Sequence, residues 1–419
     1  MSRPSTRFDF GLYAACAGAE VALHVATAGR YGMFRDEYYY LACADRLDWG
    51  YVDHPPLSIL VLAISRALLG DSVLATRLPA ILAAAAVVVV AGLLTRRLGG
   101  GRFAQGLAML CVVACPMLLG IHSLYSMNSF DHLFWVLGAY VLVGIIQTDD
   151  PRRWLLLGLV SGLGLQNKTS MAFFAIGLVA GLALTSQRKW FRSPYLYAGG
   201  ALALLIYAPN IAWQVQHDFA MLEFIRNASL HKNAPITPVS YVLEIVKTFH
   251  PLLLPVWLMG ALYPFVRSEA RVWRPLALVF VTVLIVFMFT NGKPYYAAPA
   301  FALIFPLGAL WIERLTTERR SWRPAIVVVL VILAVLAAIA LRKRSGAGNL
   351  DGPWPFYAKK PLSPPEQILY HRMVKALPEH IVLAQVQVSR VLGVKKGFNF
   401  HEWNNRINRL SYDFVVCSK

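Results

Sequence analysis

Six carboxylates fall between residues 36 and 71, namely Asp36, Glu37, Asp45, Asp48, Asp53 and Asp71, and Tyr38, Tyr39, Tyr40, Arg46, Tyr51 and His54 stand among them. Carboxylates grouped in this way can take a proton from a nucleophile, hold a cation, or be ordinary solvated loop charge, and their spacing does not separate the three. Further along, Asp131, Lys168 and Lys293 each stand at the edge of an apolar run, the last followed by Pro294, Tyr295 and Tyr296. A lysine at such an edge can compensate a phosphate or snorkel to lipid headgroups, and the same choice holds for Arg46 and Arg77. Paired tyrosines there can stack on a sugar or belong to an interfacial aromatic belt. Asp53, His54 and Asp131 offer oxygen and nitrogen ligands for a divalent metal ion, although the 77 residues between His54 and Asp131 carry no spacing signal. The residues suggest no other cofactor.

What positions these groups follows from composition. Of 419 residues, 57% are hydrophobic and 15% charged, against about 45–50% apolar and about 25% charged in ordinary soluble domains. That excess excludes a soluble enzyme, a fibrous chain and a disordered one. The predicted fold class is an all-α polytopic membrane protein with runs at 10–28, 77–95, 103–120, 131–147, 154–167, 170–185, 196–212, 250–266, 275–290, 297–313 and 324–341. Sorted by side, the loops bearing Arg96, Arg97, Arg152, Arg153, Arg188, Lys189 and their counterparts carry a net +11, while the opposite loops balance. Lys and Arg collect on the cytoplasmic side, so the N-terminus is expected there. Both flanks of 154–184 are basic, so this stretch is expected to cross and return, or to dip in and out, with its break at Gln166-Asn167-Lys168-Thr169 near the outer surface. Two long loops, 29–76 and 213–249, then lie outside, and the first reads as a site built from surface-lying helices. Cys111 and Cys115, four apart on an apolar run, read as small buried residues.

Several motifs carry a resemblance. Asp36-Glu37 with its aromatic run, Gly50-Tyr51-Val52-Asp53-His54-Pro55-Pro56-Leu57, Leu69-Gly70-Asp71-Ser72 and Arg77-Leu78-Pro79 occur in that order. Tyr125-Ser126-Met127-Asn128-Ser129-Phe130-Asp131, Gly162 to Lys168, and Gly292-Lys293-Pro294-Tyr295-Tyr296-Ala297-Ala298-Pro299 follow. Over roughly residues 10–315 the chain resembles bacterial members of glycosyltransferase family 39, which are similar to protein O-mannosyltransferases and to the aminoarabinose transferases that modify lipid A. The resemblance implies a GT-C helix bundle that moves a sugar from a polyprenyl-phosphate carrier to an extracytoplasmic lipid, glycan or protein acceptor, usually with inversion. It further implies Asp36, with Glu37 as its close rival, and Asp131 as the catalytic acidic positions. Lys168, Lys293 and Arg46 would hold the donor phosphate, and Tyr40, Tyr51, His54, Tyr295 and Tyr296 would line the substrate. The aminoarabinose transferases carry Lys-Pro where this chain has His54-Pro55, and a neutral histidine is a poorer phosphate clamp. A bacterial inner-membrane location is implied, with lipid, donor and acceptor as partners and no nucleic acid for the main domain.

The composition changes after Leu341. Residues 342–362 form a basic, Pro-rich linker, and 342–419 carry a net +8. Residues 363–419, with a helix expected near 365–377, resemble the start of a restriction-endonuclease-like bacterial domain in which Asp413 would match a metal-binding Asp whose partner is absent. The expected organisation is therefore a transferase domain over 1–341 and a small partial α/β tail. A transporter, a lipid flippase and an inactive fusion product are the rival readings. Transporters favour ionisable groups near mid-membrane and internal repeats, whereas the charges here sit at outer helix ends.

Overall fold

The computed structural model describes residues 8–30, 32–231, 236–290, 292–317 and 319–345, and four short strand segments closer to the C-terminus. The chain divides into two compact units, Met1–Gly346 and Ala347–Lys419.

The first unit is helical. Helix α1 (Phe10–Ala28) starts where the Asp9 carboxylate accepts the Leu12 amide at 3.1 Å, satisfying one of the amides a helix start leaves unpaired. Two helices, α2 (Arg35–Ala44) and α3 (Leu57–Leu69), occupy the first long loop, and α4 (Val73–Arg97) follows. Next come α5 (Arg102–Ala114), α6 (Pro116–His122), α7 (Met127–Thr148), α8 (Arg153–Asn167), α9 (Met171–Ala183) and α10 (Pro194–Gln216). The second long loop holds α11 (Ala220–His231) and α12 (Pro238–Phe249). The unit ends with α13 (Leu254–Val266), α14 (Arg274–Phe289), α15 (Ala298–Leu315) and α16 (Trp322–Ser345).

Among the described residues, six helices are long and apolar enough to cross a bilayer, or nine if each of three bent pairs is one span. Two of the eleven expected runs depart from a straight crossing. Helix α8 has only 15 residues, about 22 Å at 1.5 Å per residue against a hydrocarbon thickness of about 30 Å. The run expected over 103–120 is broken, because Pro116 has no amide N–H to continue the ladder; Cys115 is extended and α5 and α6 diverge by 62°. A second sharp corner, 95°, follows α12, where His250 takes φ 77° before Pro251. The break expected within 154–184 is present, between α8 and α9 at Lys168–Ser170.

Helix α15 sits at the centre, buried along nearly its whole length, so the Lys293–Ala297 corner that leads into it is held by the bundle core. Leu204 and Leu205 on α10, and Ile285 and Phe289 on α14, are exposed, an outward apolar surface suited to lipid. Cys111 and Cys115 are buried and unbridged. The tightest crossing joins α8 to α10: a Cβ on Gly158 would lie 2.2 Å from the Gly199 carbonyl oxygen, and one on Gly199 would lie 2.3 Å from that of Trp154. Only glycine lets two backbones approach so closely.

In the second unit, β1 (Phe356–Ala358) pairs antiparallel with β3 (Leu392–Val394), and β2 (His380–Leu383) with β4 (Val415–Ser418). The helix expected near 365–377 and Asp413 lie outside the described residues.

The crossing generates a test. Overpacking there is expected to cost about 1–3 kcal/mol, so Gly158→Val should lower the thermal midpoint of the detergent-solubilised protein. Gly200→Ala should leave it in place, since nothing lies within 4 Å of a Cβ there.

Candidate functional site

The adjacent carboxylates at the start of α2 have opposite surroundings. Glu37 is fully buried. Its Oε1 accepts from Arg77 Nε at 2.8 Å and from the Tyr125 amide at 2.9 Å, and its Oε2 accepts from Arg77 Nη2 at 2.6 Å and from the Phe34 amide at 2.8 Å. Arg77 also donates to the carbonyls of Ala28 and Gly32. This two-pronged pair ties the end of α1, the start of α2, the start of α4 and the approach to α7 at one point. Glu37 thus corrects the reading that set it beside Asp36 as a catalytic candidate: both of its oxygens are engaged and no solvent reaches it. Asp36 is exposed and makes one ion pair, with Arg35 at 3.1 Å.

Across the site, the break between α8 and α9 presents Lys168. Its Nζ donates to Asn128 Oδ1 at 2.8 Å and to Asp131 Oδ2 at 3.2 Å, while Asp131 Oδ1 accepts from Ser170 Oγ at 2.6 Å. Asp131 is sealed off, whereas the Lys168 side chain keeps 14% of its surface exposed. The ammonium also stands 5.9 Å from the centre of the Tyr296 ring, which packs edge-to-face on Tyr295. An ammonium has three N–H donors and two are spent here, so one is left for an anion. Lys293, half-buried at the same corner, and the exposed Arg46 make no ion pair among the described residues.

Between these groups lies an aromatic cage. His54 is buried and stacks on Tyr40 at 4.7 Å, with Tyr39 and Tyr51 at 5.5 and 5.0 Å. Burial lowers the His54 pKa against the opposing pull of Asp53, which keeps the imidazole neutral at pH 7. Tyr40, whose phenol is pushed well up by burial, accepts the Met127 amide at 3.2 Å. The Tyr51 hydroxyl lies within hydrogen-bond distance of the carbonyls of Cys43 and Arg46 and accepts from the Asp48 amide. Tyr39 donates to Asp53 at 2.8 Å. Tyr40, Tyr51 and His54 therefore pack together within loop 29–76.

The ligand set expected from Asp53, His54 and Asp131 does not assemble. Asp53 and His54 approach to 3.8 Å, but Asp131 is committed to Lys168 and Ser170. Among the described residues the group with ligand atoms in mutual reach is instead Glu20, His24 and His122. None of these three is among the candidate residues of the sequence analysis. Sequence reasoning also missed the anchor of the first long loop to α10, where Asn210 donates to the Trp49 carbonyl at 2.9 Å and Trp213 Nε1 to Asp48 Oδ2 at 2.8 Å. A Cβ on the intervening Gly50 would meet Trp213 at 2.6 Å.

Residues 53–213 match the family model described as dolichyl-phosphate-mannose-protein mannosyltransferase. The undecaprenyl phosphate-alpha-4-amino-4-deoxy-L-arabinose arabinosyl transferase of Edwardsiella ictaluri is 28% identical over 313 residues, covering 70% of this chain and 55% of that protein. Its namesake from Pseudomonas paraeruginosa is 30% identical over 161 residues, 37% of this chain and 29% of that protein. The crystal structure of ArnT from Cupriavidus metallidurans in the apo state matches with a TM-score of 0.61 at 16% identity, over 75% of this chain and 62% of that one. Bound to undecaprenyl phosphate, the same protein matches at 0.60 and 15% identity, over 80% and 73%. The chain has the GT-C membrane fold of these structures. This GT-C protein spans about half the length of the curated relatives it matches, 55% for the Edwardsiella protein. None of these matches is to an endonuclease, so the likeness read for residues 363–419 is unsupported.

The two neighbouring carboxylates are expected to separate on mutation. Glu37→Gln leaves a buried guanidinium without its counter-charge, a loss of about 3–5 kcal/mol, whereas Asp36→Asn should change stability by no more than about 0.5 kcal/mol. Denaturation of both variants in the same detergent measures the difference.

Proposed function

We propose that this protein is a bacterial inner-membrane glycosyltransferase that moves a sugar from a polyprenyl-phosphate carrier to an acceptor on the extracytoplasmic side. The observation that carries this reading is the Lys168 ammonium, held by Asn128 and Asp131 at a helix break with one donor left over, beside the Tyr295–Tyr296 corner. The basic loops set the N-terminus in the cytoplasm and this corner outside. A polyprenyl-phosphate donor is supported by the names of the relatives and by the structural neighbour solved with undecaprenyl phosphate.

The acceptor hydroxyl attacks the anomeric carbon as the bond from that carbon to the phosphate oxygen breaks, and the acceptor's proton passes to the Asp36 carboxylate. The carrier phosphate departs with the bonding pair, and Lys168 and Lys293 stabilise the charge that grows on it. Arg46, exposed on loop 29–76, adds a cation at the mouth. Tyr295 and Tyr296 present faces to the sugar, while the cage of Tyr40, Tyr51 and His54 walls the opposite side. Asp131 acts through Lys168, as a positioning residue. By the resemblance, His54 stands where the aminoarabinose transferases carry lysine, and a neutral imidazole is a poorer phosphate clamp.

The test is transfer of a labelled sugar from polyprenyl phosphate by the protein in liposomes. Asp36→Asn should lower turnover by about 10²- to 10⁴-fold, the usual contribution of a positioned base. The double variant Lys168→Met with Asp131→Asn removes both charges together, so that no buried carboxylate is left unpaired, and should weaken donor binding as well as turnover. Unchanged rates in both variants, or movement of substrate across the bilayer with no donor consumed, would overturn the reading.

A further inference from the structure

A second polar centre lies inside the bundle, away from the loops. Glu20 and His24 are four residues apart on α1 and so share a face, and both are buried. His122, at the end of α6, is buried as well, and so is His132 on α7. Glu20 Oε1 lies 3.1 Å from His24 Nε2 and 3.7 Å from His122 Nδ1. One ligand atom from each of the three residues lies within 4.8 Å of the other two. Glu20 Oε2, His24 Nδ1 and His122 Nδ1 have no hydrogen-bond partner among the described residues, an arrangement that is costly for polar atoms in an apolar interior.

We propose that Glu20, His24 and His122 form a binding site for a divalent transition-metal ion of the zinc class. Nitrogen and oxygen donors about 2.0–2.2 Å from a tetrahedral ion stand about 3.3–3.6 Å from one another, and the two separations from Glu20 Oε1 bracket that range. Two imidazoles and one carboxylate form a donor set that suits zinc. The support behind the ligands agrees: His122 Nε2 is 2.9 Å from His132 Nδ1, so His122 can turn Nδ1 to the metal while its opposite N–H donates to His132. Ligating histidines commonly hold their second ring nitrogen in this way. The α6 end reaches Glu20 because Pro116 bends the chain between α5 and α6. An ion here would clasp α1 to α6 and, through His132, bear on the turn of α7 that carries Asp131. The role is structural, and the site is separate from Asp53 and His54 in the outer loop.

The test uses the full chain without a polyhistidine tag, in detergent, stripped with a chelator, supplied with Zn²⁺ and desalted. Elemental analysis should find about one zinc per chain, and reloading with Co²⁺ should give the visible absorption of a tetrahedral site. The pair His24→Gln and His122→Gln should abolish both signals, while Asp53→Asn with His54→Gln should keep them. Zinc below about 0.1 per chain in the wild type, retention in the core variant, or loss in the loop variant would each overturn the proposal. If the core variant does not fold, X-ray absorption at the zinc edge of the wild-type protein decides. A shell of two imidazoles and oxygen supports the site, and a sulfur-containing or all-oxygen shell overturns it.

Discussion

An ionised side chain among apolar helices must find an opposite charge or reach water, because isolating it in a low dielectric costs several kcal/mol. Lys168 meets both demands at once: Asp131 and Asn128 hold it from within, and part of its side chain stays open. That single constraint sets the geometry around it. The pair requires the chain to break between α8 and α9 where the lysine stands. It also requires α7 to begin beside that break, and Ser170 to close the second carboxylate oxygen. The cation that results is fixed in place before any ligand arrives, which is the condition for stabilising charge that develops late in a reaction.

The same rule operates on the other wall. Glu37 and Arg77 neutralise each other and use the rest of their hydrogen-bonding capacity on backbone from four parts of the chain. The loop helices α2 and α3 are thereby seated on the bundle, although neither crosses it. With Glu37 committed, the neighbouring Asp36 is left at the surface. The wall between the two charged centres is aromatic, and its histidine is kept neutral by burial. In the proposed reaction the positive charge near the donor phosphate is assigned to Lys168 and Lys293.

Much of this was legible in the residue order, for identifiable reasons. Apolar runs report helices because burial in lipid is decided by local composition. The break at Lys168 could be read because a lysine in an apolar run has few places to go. Asp36 and Glu37 could not be told apart, since their difference lies in Arg77, forty residues away, and in the Tyr125 amide, which only folding brings near. Pro116 was present in the run over 103–120, yet its effect was overlooked because that run is apolar enough to read as one span. Glu20 stands within the apolar run over 10–28. Its partners His24, one turn along the same helix, and His122, on another, became a group only when α6 turned toward α1.

The central claim is that the phosphate of the carrier rests on Lys168 at the outer end of the α8–α9 break. The most direct measurement is a cryo-electron microscopy structure of the full chain in nanodiscs with a polyprenyl phosphate bound. The expected result places the phosphorus within hydrogen-bonding reach of Lys168 Nζ, with the Asp131 pair intact and the head group between Tyr296 and Asp36. A phosphate seated on the basic cytoplasmic loops, or one that leaves Lys168 untouched, would contradict the account.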